Sequence, residues 1–151
     1  MARLGAAVLL LLVAAGCSLG REEGEPATAP PGLPQELRGY EGWTKLNDAP
    51  IPPRDADPHD GTKDVYASSL AGADGSYPDG TIIVKEARRD DVVRLIAAME
   101  KRHGGNPEHN DWVMVEWVRD AADEPFRELA RGDVCTSCHV QAKATDYVFT
   151  R

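Results

Sequence analysis

The 151-residue chain lacks a hydrophobic run long enough to cross a bilayer. Its most apolar stretch, Leu4 to Ala15, falls short of the about 20 residues that a spanning helix needs. It also lacks a basic excess. Seventeen Lys and Arg stand against 25 Asp and Glu, and the formal net charge of −8 excludes nucleic acid as a natural partner. Cysteine is scarce, at three residues. A zinc site would need a second ligand pair, and His59, His103 and His109 offer none at zinc spacing. A thioredoxin-type dithiol would need a βαβ setting, which the pattern does not supply. The length is that of one domain.

What is present is Cys135-Thr136-Ser137-Cys138-His139. Two thiols three positions apart, followed at once by histidine, form the attachment signature of a c-type haem. On a helical turn both sulfurs reach the porphyrin vinyl groups and form thioethers. The adjacent imidazole then meets the iron as the proximal axial ligand. The motif assigns Cys135 and Cys138 to covalent attachment of haem c and His139 to the metal.

Residues 1–16 read as an export signal, with Arg3 ahead of the apolar run. The run ends in Ala14-Ala15-Gly16-Cys17, which resembles a bacterial lipoprotein box. That resemblance implies cleavage before Cys17 and lipidation of its thiol and new amino terminus. Ser18 rather than Asp suits outer-membrane sorting. Acyl chains would anchor the mature protein to the cell envelope, facing the periplasm, with no spanning helix. The alternative is an ordinary signal peptide cut near Gly16 or Leu19. Export agrees with the haem motif, because c-type haem is attached outside the bacterial cytoplasm. Residues 17–37, rich in Pro, Gly, Ala and Glu, read as a flexible tether, and 38–151 as the folded domain.

Within that domain, Leu37, Tyr40, Trp43 and Leu46 recur at helical spacing, which predicts a helix over 36–46 packed by its aromatic edge on a sheet. Residues 47–62 read as loop. His59 in that loop reads as a solvated histidine with little weight as an iron ligand. Strands are expected at 64–69, at 81–88 after a Pro-Asp-Gly turn, and at 111–119. Alternation places Ile83 and Lys85 on one face of the second, with Ile82, Val84 and Glu86 on the other. Residues 93–101 suit a helix by local propensity, but a hairpin with 111–119 favours strand. Pro125 reads as a helix start, with Phe126, Leu129 and Ala130 leading into the haem motif. The tail, 146–150, is apolar enough to pack. The expected class is α+β: a mainly antiparallel sheet with flanking helices and a C-terminal helix that carries the motif.

The stretches Tyr77-Pro78-Asp79-Gly80-Thr81-Ile82-Ile83-Val84-Lys85-Glu86, Asp111-Trp112-Val113-Met114-Val115-Glu116, Cys135 to His139 and Asp146-Tyr147-Val148-Phe149-Thr150, in this order, resemble the cytochrome P-460 family. Cytochrome c-prime-beta is a member with the same architecture. The resemblance spans about residues 38–151. It implies an antiparallel sheet with helices, often dimeric, and a five-coordinate haem with His139 proximal and an open distal side. Members with a lysine cross-linked to the porphyrin oxidise hydroxylamine. Members without it bind nitric oxide or carbon monoxide, or carry electrons between protein partners.

Lys85 stands in the shared strand and is the candidate cross-linking residue. A lysine attacks carbon only as the free amine, so this role needs a pKa depressed by burial. The alternative is a strand-end lysine that reaches water or pairs with Glu86 or Glu116. Glu116, on a strand otherwise made of Trp, Val and Met, is the candidate proton acceptor over the iron. Its alternative is an exposed charge on a half-buried strand. Met99 and Met114 read as core rather than sixth ligands. Three functions remain open: an oxidoreductase for hydroxylamine or related nitrogen oxides, a non-catalytic gas binder, and an electron carrier with a filled sixth position.

Overall fold

Short β-branched runs separated by Gly, Asp and Pro turns build one six-stranded antiparallel sheet whose spatial order follows the sequence. The computed structural model describes residues 28–150. The expected leader 1–16 and the lipidation candidate Cys17 lie outside the described residues. The strands are β1 (Thr44–Lys45), β2 (Thr62–Ala67), β3 (Ile82–Arg89), β4 (Val92–Lys101), β5 (Trp112–Val118) and β6 (Arg127–Arg131). Among the described residues one α-helix, α1 (Asp133–His139), follows β6 and runs into a 3₁₀ stretch over Val140–Thr145. The expected α+β class therefore holds, and residues 92–101 are strand, paired with both β3 and β5.

The two sheet faces carry different loads. On one face Tyr66, Val84, Ile96 and Trp117 are covered by Ala29, Leu33, Leu37, Tyr40 and Phe126. On the other, Val65, Ile83, Met99, Trp112 and Met114 pack under Ile51, Tyr147 and Val148. Ala29, Leu33 and Leu37 are thus part of the packed core, although the composition around them reads as tether. Glu86 is fully buried on the first face. There it accepts hydrogen bonds from Tyr40 Oη at 2.8 Å and Arg88 Nε at 2.8 Å. Burial and this carboxylate push the Tyr40 phenol far up its scale.

Two local expectations are corrected. Residues 36–46 form no α-helix. They make two 3₁₀ turns, Gln35–Leu37 and Tyr40–Gly42, interrupted by Gly39 at φ 63°, and then join the sheet as β1. Residues 127–131 form no helix either. The open edge of β5 offers unpaired N–H and C=O groups, and pairing with them outweighs the helix propensity of Arg-Glu-Leu-Ala-Arg. Gly132, at φ 65°, turns the chain from that strand into α1.

The tail packs as expected. Asp146 and Tyr147 both hold left-handed backbone conformations, at φ 51° and 66°. The Asp146 carboxylate compensates for that strain. It accepts from Lys101 Nζ at 2.9 and 2.8 Å, Asn110 Nδ2 at 2.6 Å, Trp112 Nε1 at 3.1 Å and the Tyr77 N–H at 2.8 Å.

Candidate functional site

The site grows out of one row of cross-strand neighbours. Val65, Lys85, Ala97, Glu116 and Ala130 stand opposite one another across β2 to β6. Lys85 and Glu116 therefore share a face and are separated by a single small residue, Ala97. Strand spacing places their backbones about 10 Å apart. Alanine on both sides of Glu116 leaves open space where larger side chains would fill the sheet surface. The next row, Ala67, Ile83, Met99 and Met114, is an apolar floor. Met99 and Met114 are buried within it, as core.

Helix α1 lies along this face. Cys135, Cys138 and His139 occupy positions i, i+3 and i+4, which puts two thiols and an imidazole on one side of the helix. Cys135 is half-buried, Cys138 is exposed, and both are free thiols. Burial, then the Glu116 carboxylate, pushes the Cys135 thiol above its ordinary value. A cavity of about 400 Å³ opens between helix, sheet and the 51–61 loop. It is lined by His59, Lys85, Glu116, Cys135, Cys138 and His139, among others, and falls within the about 300–1,000 Å³ of cofactor sites.

His139 has the geometry that a metal-ligating histidine needs. Its Nδ1 lies 2.7 Å from the Tyr147 carbonyl oxygen. A carbonyl only accepts, so Nδ1 carries the proton and Nε2 keeps its lone pair. Burial pulls the imidazole down to about 4, so the ring is neutral at pH 7. This backbone contact is the outer partner that ligating histidines generally have. The donor set and the space beside it fit a c-type haem: two free thiols at thioether spacing, one oriented neutral imidazole, and an apolar floor.

Lys85 carries the other prepared group. Burial lowers its ammonium to about 8, so about a tenth is free amine at pH 7. Its Nζ lies 5.7 Å from the centroid of the Phe149 ring, which in turn stands 5.2 Å from the His139 ring. Glu86 points to the opposite face, bonded to Tyr40, and is not its partner.

His59, expected to be a solvated loop histidine, lines the cavity instead. Its side chain is 15% exposed, and Nε2 lies 3.5 Å from Glu116 Oε2. Its ring centroid is 6.5 Å from that of His139. The available signal was loop length. A stretch of loop over 47–62, rich in Pro and Asp and directly ahead of a strand, exceeds ordinary connections and marks a binding loop. Phe149, expected only to pack, also lines the cavity.

A family model described as Cytochrome P460 matches residues 37–150. No curated protein matches the chain.

Proposed function

Because the chain belongs to the cytochrome P460 family, and so is a mono-haem c-type cytochrome with covalently attached haem c, we propose that it performs redox chemistry on hydroxylamine or a related nitrogen oxide. Cys135 and Cys138 would hold the haem through thioethers, and His139 Nε2 would ligate its iron. The bound haem supplies a metal centre that accepts electrons from substrate and passes them to a redox partner protein.

The observation that carries this reading is the placing of Lys85 and Glu116 in one cross-strand row over the cavity that His139 faces. Two-electron oxidation of hydroxylamine to nitroxyl releases two protons with the two electrons. Glu116 is a base within the cavity to take one of these protons, the other leaving to solvent, and a positioned base of this kind is worth about 10²–10⁴-fold in rate. Lys85, part free amine, would bond the porphyrin edge in a step that replaces one ring C–H and one N–H bond by a C–N bond and gives two electrons to an oxidant such as peroxide. The leader and Cys17 would deliver the protein to the periplasm and hold it on the membrane through lipid.

The apolar floor favours a second reading, a binder of nitric oxide or another diatomic gas. Two measurements on the holoprotein separate the readings. Mass mapping shows whether Lys85 is bonded to haem. Turnover of hydroxylamine with a one-electron acceptor should fall at least about 10²-fold in Glu116→Gln. An unlinked Lys85 together with no turnover would remove the enzymatic reading.

A further inference from the structure

The Tyr147 carbonyl that meets His139 is held by bonds made outside the cavity. It belongs to the second of two consecutive residues in left-handed backbone, Asp146 and Tyr147. That conformation carries strain in a non-glycine residue and persists only where the surroundings dictate it. Here the Tyr147 N–H donates to the Ala142 carbonyl at 2.8 Å, and the Val148 N–H to the Thr145 carbonyl at 3.1 Å. The Asp146 carboxylate then ties the tail to the sheet. It reaches β4 through Lys101, β5 through Trp112, the turn between them through Asn110, and the segment ahead of β3 through Tyr77. None of these five residues lines the cavity.

The Lys101 and Asp146 side chains are 7% and 4% exposed. A buried ion pair adds little stability over an apolar pair of similar size, so stability alone does not explain this one. What it provides is a single geometry, because neither charge tolerates the loss of its partner. His139 feels that geometry through the 2.7 Å contact of its Nδ1 with the Tyr147 carbonyl. A firm hydrogen bond at the far nitrogen makes an imidazole a stronger donor to a metal, and a slack one a weaker donor.

We propose that the Lys101, Asp146 and Asn110 cluster sets how strongly His139 donates to the haem iron, and so the reduction potential, by fixing the Tyr147 carbonyl. Asp146 and Asn110 are positioning residues. The inference rests on His139 as the axial ligand and holds whether the site turns over a substrate or only binds a gas.

The test reads the potential of the holoprotein by mediated optical titration, and the ferrous iron–imidazole stretch by resonance Raman. Asp146→Asn keeps a residue that tolerates left-handed backbone and removes the charge. Its ferrous form should gain about tenfold over the ferric at a fixed applied potential, a rise of about 59 mV, and its stretch should move to lower frequency. Asn110→Gly suits the φ of 53° at that position and removes one bond to the carboxylate. It should shift both readouts the same way, by less. Glu86→Gln, at the buried carboxylate of the opposite face, should lower stability and move neither. Wild-type potentials in both Asp146→Asn and Asn110→Gly overturn the inference, as does a Glu86→Gln shift as large as that of Asp146→Asn. If Asp146→Asn does not fold, an unshifted Asn110→Gly overturns it alone. His139→Ala tests the reading beneath: a potential unchanged by loss of the imidazole removes His139 as the ligand, and the inference with it. A potential that moves in His139→Ala but in neither positioning variant removes the inference only.

Discussion

At the scale of single residues, the attachment motif was legible because its chemistry dictates its spacing. Two thioethers and one axial bond require Cys135, Cys138 and His139 in that order whatever the fold around them. Lys85 and Glu116 were legible as candidates only through their strands, and the cross-strand row explains why they belong together. His59 was not legible, because no local rule says which way a loop histidine turns. Lysine reactivity gives a sign to test. The folded-state value of about 8 lies below the ordinary 10.5, so the free amine grows as pH rises through 8. If Lys85 bonds the porphyrin, maturation in vitro with peroxide as the two-electron oxidant should proceed faster at pH 9 than at pH 7, followed by haem-peptide mass. Lys85→Met should abolish the extra bond while leaving the thioethers intact.

At the scale of elements, local propensity failed where a neighbour offered a better partner. Residues 127–131 pair with β5 instead of extending α1, and Gly39 breaks the expected helix over 36–46. Neither the open edge nor the left-handed turn is visible in helical periodicity. Strands β3 and β5 were legible because branched and aromatic residues alternate over a whole element. Glycine carries the 51–61 loop: Gly61 sits at φ 116°, and a Cβ there would meet the Arg88 carbonyl oxygen at 2.5 Å. Gly61→Ala should destabilise the fold by more than about 1 kcal/mol in urea melts.

At the scale of the whole molecule, one sheet divides the labour. Its first face is closed by residues 29–43 and Phe126, and its second is left partly open under α1 and the tail. The tail's attachment depends on Asp146. Burial works against that carboxylate, but hydrogen bonds from Lys101, the Tyr77 N–H, Asn110 and Trp112 prevail and hold it below its ordinary value of 3.8. A depressed carboxylate stabilises the fold fully above its unfolded value, and the contribution is lost as pH falls through the folded one. Asp146→Asn should therefore cost about 3 kcal/mol at pH 7, by leaving Lys101 buried without its anion. It should also flatten the loss of stability below about pH 4, as read from denaturant melts across pH. Because Tyr147 follows Asp146, the same variant should broaden the haem spectrum through a less constrained His139.

Mass mapping of the digested, denatured holoprotein asks the most direct question of all. The expected result is one haem on the peptide that contains Cys135 and Cys138, surviving acid and organic solvent, with none on that peptide after Cys135→Ala and Cys138→Ala together. Reading the peptide rather than the whole chain keeps any bond to Lys85 from masking the outcome. A native holoprotein whose 135–139 peptide carries no haem would contradict the assignment at its root.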